Sequence, residues 1–145
     1  MSLDVSLKIH APLNQIKTGL FIKVGTSQTE ELTFADIKRK FPDLIILDTF
    51  TEVFDANITH NLGKMANEAG IYYACWRPEQ IGATRAKDII ILLEKGLNDL
   101  EQRLGYFKQF NPMNGWGDHR NLVKFVRSYL DTCKEYPEAR IEADR

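Results

Sequence analysis

Asn57-Ile58-Thr59-His60-Asn61-Leu62-Gly63-Lys64-Met65-Ala66-Asn67-Glu68-Ala69-Gly70-Ile71-Tyr72-Tyr73-Ala74-Cys75-Trp76-Arg77-Pro78 is where the chain changes its hydrophobic period. From Asn57 onward Ile58, Leu62, Met65, Ala66 and Ala69 fall on one stripe at helical spacing. Asn57 is read as the N-cap, because an asparagine oxygen accepts well from an orphan backbone N–H at a helix start. Gly70 suits the left-handed turn that stops a helix, and Ile71 the apolar contact that follows it. Tyr72 to Trp76 reads as one more helical turn, after which Pro78 pushes Arg77 toward an extended backbone.

Upstream the period is two. Leu3-Asp4-Val5-Ser6-Leu7-Lys8-Ile9 alternates apolar and polar, which predicts a half-buried strand ended by His10-Ala11-Pro12-Leu13-Asn14. Leu20-Phe21-Ile22-Lys23-Val24, between Gly19 and Gly25, predicts a second strand. Thr33-Phe34-Ala35-Asp36 resembles a capping box that opens a short helix to Phe41, with Asp36 in the place of the usual glutamate. Leu44-Ile45-Ile46-Leu47 reads as a third strand, and Thr49 to Ala56 as a fourth with Phe50 and Phe54 on one side.

Downstream, helices dominate. Thr84 is read as the cap of the longest helix, ending near Leu104 or Phe107, with Ala86, Ile89, Ile90, Leu93, Leu97, Leu100 and Leu104 as its buried stripe. Phe110 to Gly117 is rich in turn residues. Asp118 caps a last helix with the stripe Leu122, Val126, Tyr129, Leu130 and Cys133, and Ala139 to Ala143 predicts a closing edge strand. Strands first and helices later predict an α+β fold, a mainly antiparallel sheet with helices packed on one face. At 145 residues the chain is read as a single domain, 1–145, with 12–48 as an insertion between paired strands.

Composition narrows the function classes. With 43% hydrophobic and 27% charged residues the chain is that of an ordinary globular protein, and a formal net charge of -1 gives no reason to expect a nucleic acid duplex. Lys38-Arg39-Lys40 reads as the polar side of a short helix. The N-terminus lacks the basic start and apolar run of a secretory signal, and Ile89 to Leu93 is far too short to span a membrane, so a cytoplasmic protein without membrane contact is expected. For the same reason Asn57-Ile58-Thr59 is read as a helix start and not as a glycosylation site. Cys75 and Cys133 show no metal or redox spacing; buried thiols are the default, and one disulfide between them is left open.

His60 lies nearly opposite the apolar stripe on the helical wheel, beside Lys64 and Asn67. Two readings follow: an anion contact in the first helical turn, where free N–H groups favour negative charge, or a solvent-exposed histidine. Trp76 offers a flat face for stacking and Arg77 a planar fork for phosphate or carboxylate; the alternatives are a core tryptophan and an arginine paired with Glu79 or a helix carbonyl. Asn114-Gly115-Trp116-Gly117 reads either as a loop that closes over a ligand or as a tight turn in which Trp116 plugs the gap between the last two helices. No metal-ligand spacing, nucleophile motif, phosphate loop or cofactor signature is found, and Asp48, Glu52 and Asp55 form no assignable acid–base pair. That leans against an enzyme.

At Ser2-Leu3-Asp4-Val5, Ala56-Asn57-Ile58-Thr59-His60-Asn61-Leu62, Met65, Glu68-Ala69-Gly70-Ile71-Tyr72, Trp76-Arg77-Pro78-Glu79, Asn114-Gly115-Trp116-Gly117, Tyr129-Leu130 and Cys133-Lys134 the sequence resembles a family of small, largely uncharacterised proteins encoded by bacteriophages, prophages and bacteria. The resemblance covers most of the chain after Glu52 and little of 12–48. It implies a phage or prophage setting and no catalytic residue.

These readings converge on a non-enzymatic binding protein with a pocket for a small anionic, nucleotide-like ligand. Trp76 or Trp116 would stack, Arg77 and the backbone amides near Thr59 would take charge, and Asn61 and Asn114 would read polar edges, in a pocket bounded by the helix start at Asn57 and including His60. In a phage such a pocket would sequester a host signal. Two rivals are a protein–protein interaction module, oligomeric through the same aromatics, and a small hydrolase with His60 as general base.

Overall fold

Leu3, Val5 and Leu7 are completely buried while Asp4 between them is exposed, which makes the first strand the two-faced element its alternation predicts. The computed structural model describes residues 2–10, 17–45 and 50–145. Strand β1 (Ser2–His10) lies at the centre of a three-stranded sheet between β4 (Phe50–Thr59) and β5 (Arg140–Asp144). The β1–β5 pair is antiparallel, with Val5 opposite Ala143 and Leu7 opposite Ile141. One face of this sheet carries the apolar residues; the other is polar, with Lys8 paired to Glu142 at 2.8 Å. The fold is α+β.

Helices cover the apolar face. They are α2 (Gly63–Glu68), α3 (Tyr72–Trp76), α4 (Ile90–Gln102), α5 (Leu104–Lys108) and α6 (His119–Glu135). Leu122, Phe125, Val126, Tyr129, Leu130 and Cys133 of α6 are buried, and Phe54 of β4 stacks on Tyr129 at 5.2 Å between ring centroids. Each such side chain removed from water contributes about 1.5–3 kcal/mol before entropy is subtracted. Helix α4 packs on α6 and on the turn after α2. Gly96 makes the second approach possible, since a Cβ there would sit 2.1 Å from Ile71 Cγ2.

A second unit, residues 10–51, is inserted between β1 and β4, whereas residues 1–9 and 52–145 form the first. The chain thus divides into two compact units where one was expected, and the inserted unit takes in all of 12–48. Within it, β2 (Lys17–Val24) and β3 (Gln28–Thr33) form an antiparallel hairpin, followed by α1 (Phe34–Lys40). Thr33 and Asp36 form the expected capping box: Thr33 Oγ1 accepts from Asp36 N–H at 3.1 Å, and Asp36 Oδ2 accepts from Thr33 N–H at 3.0 Å.

Several expectations are corrected. Gln28–Thr33 is a strand that lacks apolar alternation altogether, so period gave no warning of it. Leu44 and Ile45 are not in a strand; Ile46 and Leu47, like Pro12 and Asp48, lie outside the described residues. Thr84 caps no long helix. Its N–H and that of Arg85 both donate to Asp88 Oδ2, and a short 3-10 turn at Ala86–Asp88 precedes α4. The helix then breaks at Arg103, whose φ of -115° and ψ of 46° are not helical, and Leu104 is exposed.

Both thiols lie in the core, free and unpaired with each other. Burial raises the Cys75 thiol far above its ordinary range and pushes Cys133 up to about 12. Neither thiolate forms at neutral pH, so the native protein is expected to resist iodoacetamide while the unfolded chain takes two labels. Rapid labelling of either cysteine in the folded state, read by intact mass, would contradict this core.

Acid should destabilise the protein through its caps and ion pairs. Asp88 is held low by the N–H groups of Arg85 and Thr84, Asp118 by the N–H of Asn121, and Asp99 by the Arg103 guanidinium. A carboxylate whose folded pKa lies below its unfolded value stabilises the fold above the unfolded pKa, and that stability is lost as pH falls through the folded one. Thermal melts should therefore be level between about pH 7 and 5 and fall below about pH 4. Asp118→Asn, an equally good cap, should blunt part of that fall. A melting temperature that rises on acidification contradicts the assignment.

Candidate functional site

Asn57 does not cap a helix. It is exposed near the end of β4, on the polar face, and its Nδ2 donates to Asp4 Oδ1 across the sheet at 2.6 Å. The strand runs on to Thr59, and Thr59 is the cap: its Oγ1 accepts from Asn61 N–H at 3.3 Å and opens a 3-10 turn, His60–Leu62. Helix α2 follows directly. Ile58 and Leu62 are buried as expected, but Ile58 reaches the core from a strand.

The Asn111–Gly117 loop comes up against this strand end. Gly117 has a φ of +92°, and a Cβ on it would lie 2.8 Å from Thr59 Cγ2 and 3.1 Å from Leu62 Cδ1. Only a glycine backbone fits that approach. Of the two glycines that flank Trp116, Gly117 makes this close approach, whereas Gly115 faces open space. Trp116 N–H donates to Asn114 Oδ1 at 3.0 Å, an Asx turn that sets the loop's shape. Trp116 is 71% exposed, so it plugs no gap between helices.

Between strand end and loop lies an open cleft of about 510 Å3, lined by Ser2, Asn57, Thr59, Asn61, Asn114 and Trp116. It gathers three asparagine amides, two hydroxyls and one tryptophan. Among the described residues no charged side chain lines it. Asn57 and Asn114 have each committed one polar atom to the scaffold, and the Thr59 hydroxyl retains its proton for donation.

His60, Trp76 and Arg77 stand elsewhere. His60 points inward and not to solvent: its Nδ1 accepts from Trp76 Nε1–H at 3.0 Å, and its Nε2 is buried. Trp76 is completely buried and stacked on Tyr72, with centroids 5.6 Å apart and planes 8° from parallel. Its faces are closed to any ligand. Arg77 Nε donates to Tyr72 Oη at 3.4 Å, and Glu79 pairs with Arg145 at 2.8 Å. This cluster backs the site from inside, holding the turn whose flanking residues, Thr59 and Asn61, face the cleft. It also removes His60 as a general base, since Nδ1 is already an acceptor.

Three contributors were not foreseen. Ser2 lines the cleft, and Asp4 holds Asn57; both lie on the polar alternation of β1, which carried that signal. Arg145 donates to Trp76 O at 2.7 Å and ties the chain's last residue to α3. Nothing in its sequence context marked it.

Comparison of the chain with protein-family models, with curated proteins and with solved structures returned no match. Among the described residues no helix is long and apolar enough to cross a membrane.

Proposed function

We propose that the chain is a non-enzymatic binding protein whose cleft takes a small polar ligand with a flat, nucleobase-like ring. The observation that carries this reading is Trp116, held exposed by its own loop at the rim of a cleft otherwise made of amides and hydroxyls. A tryptophan face left open to water gains about 1–3 kcal/mol when a base stacks on it. Asn61 and the free halves of Asn57 and Asn114 offer both donors and acceptors to a ring edge. The charge contact expected from Arg77 has no place here, so the ring carries the affinity and any phosphate lies toward solvent. In the phage or prophage setting that the sequence resembles, such a cleft would sequester a host nucleotide signal.

Calorimetric titration with nucleosides and their 5′-monophosphates tests this. Each base should bind about as well with its phosphate as without, and Trp116→Ala should abolish binding while shifting stability by no more than about 0.5 kcal/mol, as for a surface substitution. Undiminished affinity in Trp116→Ala and Asn114→Ala would sink the reading.

One observation favours a second reading, a protein interaction module. Met113 is fully exposed in the same loop as Trp116, and a methionine beside a tryptophan is the kind of pair that anchors interfaces. Under that reading Met113→Ala breaks a complex seen by ultracentrifugation. Under the first it changes nothing.

A further inference from the structure

The three-stranded sheet has two edges, and they are treated differently. At β5 the edge is closed by the chain itself: Ala86 N–H donates to Ala139 O at 2.8 Å, Ile141 N–H donates to Thr84 O at 3.0 Å, and Arg85 bridges Arg140. At β4 the outer side faces no strand among the described residues. A groove of about 360 Å3 runs along it instead, from Phe54 to Thr59 on the strand, with Asn121, Lys124, Phe125 and Ser128 of α6 as the opposite wall.

We propose that this groove is a second binding site, which takes an extended peptide as an added strand on β4 with an acidic side chain set against Lys124. The open edge presents a row of backbone N–H and C=O groups, the template that strand addition uses for affinity, while pockets for alternate side chains give selectivity. Phe54, Ile58 and Phe125 form an apolar floor for the side chains that turn inward. Lys124 supplies the selectivity. The other cations of α6 are each engaged, Arg120 with Asp118, Arg127 with Glu101 and Lys134 with Glu94, whereas Lys124 is exposed and has no acidic partner among the described residues.

A second copy of the chain fits less well. Antiparallel pairing of β4 with β4 keeps both sets of helices on the same face of the joined sheet, and it brings the two α6 walls together with like charge toward like. A single extended segment carries no such helix and can bring a carboxylate. This inference does not depend on the ligand of the Trp116 cleft, although the two sites share Asn57 and Thr59 at their junction.

The test uses the full chain and two capped heptapeptides, Thr-Val-Thr-Glu-Thr-Val-Thr and the same sequence with lysine for glutamate. The glutamate peptide should bind and slow amide hydrogen exchange within 54–59. Its lysine counterpart should bind at least about tenfold more weakly, the scale of one close charge pair. Lys124→Glu, an exposed change, should reverse that order, and Ser128→Tyr, also exposed, should obstruct the groove and abolish binding of both. Failure of both peptides to bind, equal affinity for the two, or exchange slowed elsewhere would each overturn the proposal. So would protection of 54–59 that depends on protein concentration without peptide, because the occupant would then be a second copy.

Discussion

Trp76→Ala is expected to lower the free energy of unfolding by about 3–5 kcal/mol, the range for emptying a large aromatic site in a core. The indole is completely buried, stacked flat on Tyr72, and it donates its only proton to His60 Nδ1. Alanine leaves a cavity and strands a ring nitrogen beneath the Thr59–Asn61 turn. Trp76→Phe separates the two effects: most of the volume stays, and the lost donor alone should cost about 1–3 kcal/mol, the penalty for an unsatisfied buried acceptor. Urea unfolding followed by circular dichroism reads both as a lowered midpoint at unchanged slope. The same alanine substitution at Trp116 should be nearly silent in that assay. Equal costs at the two tryptophans would contradict their opposite assignments.

Gly117→Ala should be costly for stability and for the cleft at once. The positive φ of 92° is one penalty, of about 1–2 kcal/mol for a residue with a Cβ. The second is steric, because the new methyl meets Thr59 Cγ2 at 2.8 Å and the fully buried Leu62, which has no room to yield. Overpacking of that kind costs about 1–3 kcal/mol, for a total of about 2–5. If the loop shifts instead, Trp116 moves away from Thr59 and Asn61 and ligand binding is lost. Gly115→Ala is the control, with positive φ but open space around it, and should cost only the backbone share. Unchanged melting and unchanged binding in Gly117→Ala would show that the loop does not seat on β4 as described.

How far the chain was legible follows from which signals are local. Thr33 with Asp36, Asp118 and Gly70 were readable because a cap or a stop is decided within three or four residues. The buried stripes of β1 and α6 were readable because burial follows period. Ile58 shows where period fails: it continues the alternation Phe54, Ala56, Ile58 and equally begins the helical series Ile58, Leu62, Met65. Only the pairing of β4 with β1, a long-range contact, decides that the strand runs on to Thr59. Helical spacing counted from Ile58 places His60 outward, whereas the strand runs to Thr59 and His60 opens a 3-10 turn with its Nε2 buried.

The site was legible in the same uneven way. Asn57, Thr59, Asn61, Asn114 and Trp116 meet in one cleft because polar and glycine-rich residues at strand and loop ends have few places to go but the surface. Trp76 and Arg77 were misassigned because nothing local distinguishes an indole that stacks on Tyr72 from one that waits for a ligand. Phe21 and Ile22, in the inserted hairpin, show the converse: their apolar run marks a strand, yet both side chains are exposed.

The most direct test of the cleft is a heteronuclear NMR titration of the labelled protein with adenosine, guanosine, cytidine and uridine. At least one nucleoside should shift the side-chain amides of Asn57, Asn61 and Asn114 and the indole N–H of Trp116, and leave the indole N–H of Trp76 in place. Spectra unmoved by all four, or shifts centred on Trp76 and Arg77, would contradict the account.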